Sequence, residues 1–228
     1  MTHVTAHRLG TVTSVPPLRQ AQSWDFHDGD ETDADPIRVE VEDEIDLAQA
    51  EWAAGQFLDA LGLSLDAEHL RATPGRMARA WAEMLSPGPF KLTTFPNEEG
   101  YDEMVVVRDI PVQSLCEHHM LPFAGTAAVG YLPGDRIVGI SKLARVVEHF
   151  ASSPQTQERL TKQVADFLEE NLSPRAVGVV ISASHSCMTL RGARAKGTST
   201  VTSTLLGALR NDPSSRQEFL DLTGIARV

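Results

Sequence analysis

Two cysteines, each within a few residues of histidines, are the side chains of this sequence best suited to hold a metal ion. Cys116 lies in the segment Ser114-Leu115-Cys116-Glu117-His118-His119, where a Cys-x2-His spacing brings a thiolate and an imidazole within reach of one ion, such as zinc. The other cysteine lies in His185-Ser186-Cys187. The alternative is that both cysteines are small buried core residues and that the histidines are ordinary hydrogen-bonded polar groups.

The number of available ligands favours a catalytic metal site over a structural one. A structural zinc is normally held by four protein ligands, and this sequence has no third cysteine. Three protein ligands would leave one coordination position open, which is typical of a zinc that activates water. His118 and His185 would then be additional imidazoles beside the metal, able to transfer protons near neutral pH.

Basic residues occur early in two predicted helices. Lys142 and Arg145 follow Ser141, the predicted cap of one helix. Arg76 follows Thr73-Pro74, where Thr73 is the predicted cap of another helix and Pro74 its first residue. Cations are unfavourable at a helix N-terminus, which is already positive, and a bound phosphate group would remove that conflict. The alternative is that these residues belong to solvated basic faces.

Glu158 follows Pro154, the predicted start of a further helix. An acidic residue there stabilises the helix through its dipole, which is the simplest interpretation. The carboxylate could instead accept two hydrogen bonds from the N1 and N2 edge of a guanine, with Gln157 adding another. The sequence contains no G-x-x-x-x-G-K-[ST] segment, so a bound nucleotide would not be held by a P-loop.

The pattern of apolar residues predicts an α+β fold, in which an antiparallel sheet carries helices on one face. Apolar and β-branched runs indicate strands at 104–107, 127–131, 137–140, 177–182 and 199–204, the second and third joined by the turn Pro133-Gly134-Asp135. Helical spacing predicts two helices before the main body, from Ile45 and from Thr73-Pro74. It predicts two more between the strands, after Ser141 and after Pro154.

Composition limits the class of protein. The chain has 228 residues, 42% of them hydrophobic, which fits one folded domain. Its formal net charge of −11 argues against a nucleic-acid partner, because such a surface needs clustered Lys and Arg. The sequence has no run of 18 apolar residues and no signal-like N-terminus, so we expect a cytoplasmic protein with no membrane partner.

Composition also divides the chain into an arm and a domain. Residues 1–38 are rich in Asp, Ser, Thr and Pro and show little apolar periodicity. We therefore expect an acidic, mostly disordered arm, because burial there cannot offset the entropy lost on ordering. The remaining domain, 39–228, divides into a helical N-terminal part at 39–90 and the sheet-forming catalytic part at 91–228.

Five segments, in their order and spacing, resemble the motifs of the GTP cyclohydrolase I family. They are Thr73-Pro74-Gly75-Arg76, Ser114-Leu115-Cys116-Glu117-His118-His119, Gly139-Ile140-Ser141-Lys142-Leu143-Ala144-Arg145, Pro154-Gln155-Thr156-Gln157-Glu158-Arg159-Leu160, and His185-Ser186-Cys187 through Arg191-Gly192. The resemblance runs from about residue 45 to the C-terminus. Each motif is weak alone, and the five together are far more specific.

The resemblance implies a tunnelling fold (T-fold). In such a fold the sheets of several subunits join into a β-barrel ring, and two pentameric rings form a homodecamer with active sites between subunits. The substrate would be GTP and the metal Zn2+. The reaction would open the imidazole ring of guanine, release formate and rearrange the ribose to give 7,8-dihydroneopterin triphosphate.

The resemblance also implies a role for each candidate residue. Zinc would be bound by Cys116, His119 and Cys187. Protons would be transferred by His118 and His185. The guanine would be held by Glu158 with Gln157, and the ribose and triphosphate by Ser141, Lys142, Arg145, Arg191 and, from a neighbouring subunit, Arg76.

Two other functions stay open at this point. One is a non-catalytic regulatory paralogue that keeps the ring and the metal, although the intact set of candidate residues argues against it. The other is a different tunnelling-fold enzyme of pterin or deazapurine chemistry, such as a nitrile reductase with a nucleophilic cysteine. That enzyme would not need His119 and Cys187 as co-ligands of a metal, so a metal assay separates it from a cyclohydrolase.

Overall fold

The computed structural model describes residues 37–39, 45–88 and 90–224, which form a mixed α+β fold. Within these residues the strands are β1 (Ile37–Val39), β2 (Phe90–Leu92), β3 (Thr94–Pro96), β4 (Val105–Cys116), β5 (Leu121–Leu132), β6 (Arg136–Val138), β7 (Pro154–Gln155), β8 (Ala176–His185) and β9 (Thr200–Gly207). The helices are α1 (Leu47–Ala60), α2 (Thr73–Met84), α3 (Ile140–Ala151), α4 (Gln157–Leu172), α5 (Ser186–Thr189), α6 (Ala208–Asn211) and α7 (Pro213–Thr223).

Helices α1 and α2 precede the main sheet and pack against each other. The carboxylate of Asp46 caps α1 by accepting a hydrogen bond from the backbone N–H of Gln49 (2.9 Å). In α2 the N-cap is Ala72, so the prediction that Thr73 caps this helix is wrong by one residue. Thr73 is helical, and its hydroxyl accepts a hydrogen bond from Arg76 Nη2 (3.0 Å).

The main sheet has, in the described part of the chain, the strand order β7-β4-β5-β8-β9. All its pairs are antiparallel except that of the short β7 with the end of β4. Strands β4 and β8 extend past the predicted apolar runs, to Cys116 and His185, because pairing with β5 continues through their polar ends. The strand predicted at 137–140 is β6, which pairs with β3 outside this sheet.

Strand β4 contains one irregularity that keeps its apolar side chains on the core. Its register with β5 shifts between Val107 and Ile110, and Asp109 adopts a left-handed conformation with φ 60°. An extra residue reverses the alternation of side chains along a strand. Val105 before the shift and Val112 after it consequently pack into the same core, together with the cysteine that ends β4.

Helices cover both faces of the main sheet. The main core lies between the sheet and α3 and α4, and it includes Val179 of β8. Val180, whose side chain points to the other face, packs instead with Phe219 of α7. A Cβ at Gly178 would lie 2.6 Å from the Phe219 ring, so this glycine makes room for the ring. The prediction of helices on one face therefore fits α3 and α4 and is wrong for α6 and α7.

Two further helix starts differ from the sequence prediction. Helix α3 has Gly139 as its N-cap, so Ser141 lies within the first turn and caps no backbone N–H. Pro154 belongs to β7, and α4 begins three residues later, where the side chain of Thr156 accepts a hydrogen bond from the backbone N–H of Arg159 (3.2 Å). Proline and serine at these positions mark the neighbourhood of a helix start rather than the start itself.

The predicted acidic arm lies mostly outside the described residues. Of residues 1–38, positions 37 and 38 are described, and they belong to β1, which pairs antiparallel with β2. The acidic arm at residues 1–38 therefore stays a prediction. Among the described helices, none combines the length and the hydropathy needed to cross a membrane.

Candidate metal centre and active site

Three side chains with metal-binding atoms meet at one end of the main sheet. Cys116 ends β4, His119 lies in the turn into β5, and Cys187 is the second residue of α5, directly after β8. Because β4 and β8 both pair with β5, the sheet places their ends side by side. The two sulfur atoms and a ring nitrogen of His119 lie within 4.8 Å of one another. The fold thus brings together the three residues predicted as ligands.

A tight turn at residues 117–120 brings His119 back to Cys116. The backbone N–H groups of His119 and Met120 both donate to the Cys116 carbonyl oxygen, at 3.2 and 2.8 Å. Met120 closes the turn in a left-handed conformation with φ 52°. A local turn therefore accounts for the Cys-x2-His pair, whereas Cys187 reaches it only through the sheet.

The donor set fits one zinc ion. Tetrahedral zinc holds sulfur and nitrogen ligands roughly 3.5–3.8 Å apart, so the three atoms would need only a small inward movement from the separation of at most 4.8 Å. Burial raises the pKa of the Cys187 thiol, and a hydrogen bond with Cys116 raises it further, whereas the charge of Arg191 lowers it. A bound cation would stabilise both thiolates, and three ligands would leave one coordination position open.

His185 lies beside this cluster and is held on two sides. Its ring stacks on Phe123, its partner across β5 and β8, with centroids 4.4 Å apart and an interplanar angle of 12°. Its Nε2 lies 2.8 Å from Oε1 of Gln157. Burial lowers the pKa of His185, and the negative charge of Glu158 acts in the opposite direction. The predicted proton-transfer residue is thus fixed in orientation close to the predicted guanine anchor.

Gln157 does not face solvent, contrary to what a contact with a bound guanine requires. Its side chain is 2% exposed. The amide nitrogen donates to the carbonyl oxygens of Ile181 (3.0 Å) and Thr200 (2.9 Å) and to the hydroxyl of Thr202 (3.1 Å). The amide oxygen faces His185. All polar atoms of this amide are therefore engaged within the protein.

Glu158 and Arg191 lie near the cluster and are exposed to solvent. Glu158 is the second residue of α4, and its charge acts on His185, as described above. Arg191 follows α5 and its charge acts on Cys187. An exposed anion and an exposed cation near the candidate metal-binding residues are available to a polar ligand that enters from solvent.

His118 is the more exposed of the two predicted proton-transfer residues. Its Nδ1 lies 3.8 Å from the sulfur of Cys116, and its Nε2 lies 3.8 Å from Oε1 of Glu117. Arg159 holds the other oxygen of Glu117 at 2.5 Å, and its guanidinium also donates to the side chain of Gln155 (2.9 Å). An ion pair therefore fixes the carboxylate that faces His118.

Four predicted substrate contacts are not brought to the cluster within one chain. The C-terminal end of α3 adjoins it, since Ser114 Oγ of β4 donates to the carbonyl of Ser153 (3.1 Å). Lys142 lies nine residues before Ala151, the last residue of α3, and so about 13 Å away along the axis. Ser141 lies at the same helix end, and Arg145 lies near the middle of α3, six residues or about 9 Å before Ala151. The fourth, Arg76, bonds within its own segment, to the His69 carbonyl and to Thr73.

Comparison with known proteins identifies the family. The family model for GTP cyclohydrolase I matches residues 50–224. A protein of Rhodopirellula baltica named GTP cyclohydrolase 1 is 49% identical over 184 residues, which is 78% of this chain and 80% of that protein. The chain belongs to the GTP cyclohydrolase I family. Proteins of the same name from Aquifex aeolicus and Streptomyces avermitilis are each 48% identical, over 78% and 82% of this chain and 97% of their own length.

In this GTP cyclohydrolase I family member, the structure adds three residues to the surroundings of the cluster that sequence reasoning missed. They are Phe123, which stacks on His185, and the ion pair of Glu117 with Arg159. Glu117 and Arg159 lie inside motifs quoted in the sequence analysis, so their positions could have indicated that they belong to the site. Phe123 lies four residues after His119, and only the pairing of β5 with β8 sets it against His185.

Proposed function

We propose that this protein catalyses the GTP cyclohydrolase I reaction, in which GTP and water give formate and 7,8-dihydroneopterin triphosphate. The observation that carries the proposal is the convergence of Cys116, His119 and Cys187 beside an oriented His185. Three relatives at 48–49% identity carry the name of this enzyme. The match to the family model spans residues 50–224, which include all four of these residues.

Cys116, His119 and Cys187 would bind one zinc ion. Zinc held in this way acts as a Lewis acid and makes water a better nucleophile at neutral pH. The buried position of Cys116 and the partial burial of Cys187 keep two ligands away from bulk water. His119 is exposed, so the open coordination position would face solvent and an entering substrate.

His118 and His185 would move protons while the imidazole ring of guanine is opened. One of them gives a proton to N7 as C8 is hydrated, and later steps need proton acceptance as the C–N bonds break. Two hydrolytic cleavages consume two water molecules and release formate. Closure of the rearranged ribose chain onto the freed amine expels one water molecule, so the net reaction consumes one.

Recognition of GTP would divide between an acidic and a basic set of residues. The carboxylate of Glu158 would accept hydrogen bonds from N1 and N2 of guanine. The triphosphate, with a charge of about −4, needs several cations in a chain whose net charge is −11. The contacts to the ribose and triphosphate that we propose are Ser141, Lys142, Arg145, Arg191 and Arg76.

These contacts require more than one subunit, and we propose a T-fold homodecamer of two pentameric rings. Lys142 lies at the far end of α3 from the cluster, as described above, so another subunit would supply it. Strand β9 pairs only with β8 among the described residues, which leaves an edge for a neighbouring sheet. Trp52 of α1 is 64% exposed, and Phe57 on the same helix is also exposed, as in a helix that packs against a partner.

The domain arrangement that we propose is the one predicted in the sequence analysis. An acidic arm would cover residues 1–38, and a single GTP cyclohydrolase I domain would cover residues 39–228. Within this domain α1 and α2 form the helical N-terminal part, and the main sheet with its helices forms the catalytic part.

The test is incubation of the purified, zinc-loaded protein with GTP. We expect formate and a pterin product in equal amounts, the pterin being detected by its fluorescence after oxidation. Removal of zinc by a chelator should abolish both signals and zinc should restore them. A protein that binds zinc and GTP but releases no formate would be a non-catalytic paralogue. A metal-free protein with a reactive cysteine would point to another tunnelling-fold enzyme.

A further inference from the structure

We propose that Gln157 is a positioning residue, which holds His185 so that Nδ1, and not Nε2, exchanges protons at the site. The inference rests on the proposed function for the role of His185 as a proton-transfer group. It replaces the contact with guanine that the sequence predicted for Gln157. The geometry that supports it is the set of hydrogen bonds around one buried amide and one imidazole.

The orientation of the Gln157 amide follows from its neighbours. The backbone carbonyl oxygens of Ile181 and Thr200 lie 3.0 and 2.9 Å from Nε2. A carbonyl oxygen can only accept a hydrogen bond, so the NH2 group of the amide must face these two atoms. The amide oxygen must then face His185, because the two ends of an amide are on opposite sides of the same carbon.

Two threonines fix the same orientation independently. Thr161 Oγ1 donates its single hydrogen to the backbone carbonyl of Gln157 (2.7 Å). Thr202 Oγ1 lies 2.6 Å from Thr161 Oγ1. Because Thr161 has no hydrogen left to donate, the Thr202 hydroxyl must be the donor of this hydrogen bond. Having used its hydrogen, the Thr202 hydroxyl can only accept from Gln157 Nε2 at 3.1 Å. The chain of donors thus starts at the NH2 group of Gln157.

The tautomer of His185 follows from this orientation. Gln157 Oε1 is an acceptor, so the ring nitrogen 2.8 Å away, Nε2, must carry a hydrogen and donate it. Phe123 stacks on one face of the ring and restricts its rotation. A neutral His185 therefore carries its lone pair on Nδ1, which is the nitrogen left for a ligand.

An amide suits this role because it cannot take part in the proton transfer itself. An amide oxygen is not basic, so the Nε2 hydrogen stays on the ring, whereas a carboxylate partner could accept it. Proton exchange is thereby confined to Nδ1. When His185 acts as an acid, the Nδ1–H bond breaks and the substrate nitrogen N7 gains that proton; in the reverse sense, Nδ1 takes one up.

The test uses the zinc-loaded oligomer with 15N-labelled histidine, whose ring-nitrogen chemical shifts distinguish the two tautomers. A His185→Gln variant assigns the signal. We expect His185 to be the Nε2–H tautomer in the parent. In Gln157→Met, which keeps length but removes both polar atoms, this signature should be lost. The value of kcat should fall about tenfold to a hundredfold, with zinc content and KM for GTP within about threefold of the parent.

Gln155→Met is the matched control. Gln155 is also 2% exposed, and its amide donates to the Phe150 carbonyl (2.8 Å) and to Ser153 Oγ (3.1 Å), but it does not contact His185. This variant should lose thermal stability to a similar extent and leave the His185 signature unchanged. If the role of Gln157 were purely structural, both variants would lose similar thermal stability and both would keep the His185 signature.

Three results would overturn the inference. One is an Nδ1–H tautomer in the parent protein, which can be measured even if Gln157→Met does not fold. Another is an unchanged His185 signature in Gln157→Met. The third is a raised KM with unchanged kcat, which would make Gln157 a substrate contact. An Nε2–H signature in a protein that does not turn over GTP would refute the proposed function but leave the role of Gln157 in holding His185 intact.

Discussion

Glu158→Gln separates substrate recognition from folding, because its carboxylate is exposed and has little to stabilise within the chain. Glu158 is the second residue of α4. Its structural benefit there is the favourable interaction of a negative charge with the helix N-terminus, about 0.3–1 kcal/mol. Replacing it with Gln should therefore lower the free energy of unfolding by less than about 1 kcal/mol.

The loss in catalysis should be much larger. If the carboxylate accepts hydrogen bonds from guanine N1 and N2, the NH2 group of the substituted amide in Glu158→Gln would face donors of the base. A charge-assisted contact then becomes an unpaired or repulsive one, which costs roughly 3 kcal/mol or about a hundredfold in kcat/KM. The expected loss in kcat/KM is thus larger than the expected loss of stability, so the substitution acts mainly on the complex with GTP and not on folding.

The assay measures kcat/KM with GTP and with inosine triphosphate, which lacks the 2-amino group, together with direct GTP binding by calorimetry. The parent should have a higher kcat/KM for GTP than for inosine triphosphate. In Glu158→Gln the ratio of the two kcat/KM values should fall toward one, because the contact with N2 is already lost. Glu169→Gln is the matched control. Glu169 is exposed in the last turn of the same helix, where an acid is unfavourable, so stability and kcat/KM should change little.

Two outcomes would refute this reasoning. If Glu158→Gln bound GTP like the parent and kept its preference over inosine triphosphate, Glu158 would not hold the guanine edge. If Glu158→Gln lost several kcal/mol of stability, the carboxylate would have a structural role that its exposure does not suggest. His185→Ala provides the contrast, because loss of a proton-transfer group should lower kcat while GTP binding is largely kept.

The remaining predictions concern the metal, the sheet and pH. Zinc analysis should find about one ion per subunit, lost in Cys116→Ala and in Cys187→Ala, and full occupancy in both variants would refute the ligand assignment. In Gly125→Ala the new Cβ would lie 2.0 Å from the Ser182 carbonyl oxygen, so β5 and β8 must separate and chemical denaturation should show a loss of about 3 kcal/mol or more. Gly55→Ala in α1, with nothing nearer than 3.8 Å, should instead gain about 0.5–1 kcal/mol. Burial lowers the pKa of His149, so the folded state resists its protonation. Protonation of His149 therefore favours the unfolded chain, so this contribution to stability is present above a pH of about 6.5 and is lost as pH falls through the lowered pKa. The free energy of unfolding in urea should decrease less between pH values of about 7.5 and 5.5 in His149→Met than in the parent.

The residue types at the site and their local spacing were available from the sequence. Cys116 and His119 are three residues apart, and a single turn suffices to bring them together, so the chemistry of the ligands could be predicted without a fold. The apolar runs also predicted most strands of the main sheet, and burial on both faces leaves continuous apolar runs in β5 and β8.

Boundaries were less predictable, since several residues near a helix start can act as its cap. Ser141 and Thr73 both have the side chain of a good cap, yet each lies inside its helix. The pairing of β6 with β3 was also missed, because the turn at residues 133–135 looks like a hairpin connection, whereas tertiary contacts direct β6 to another partner.

By itself the sequence determined the family, the side chains that could hold a metal, and the position of Glu158 near the start of a helix, because each depends on residue identity at short range. Only the tertiary structure decided which groups meet. Cys187 joins Cys116 because β5 lies between their strands, and Phe123 stacks on His185 through the same pairing. The role of Gln157 depends on carbonyl groups of β8 and β9, 24 and 43 residues away along the chain. Hydrogen-bond partners that distant are set by packing of the whole sheet, which no local pattern of residues specifies.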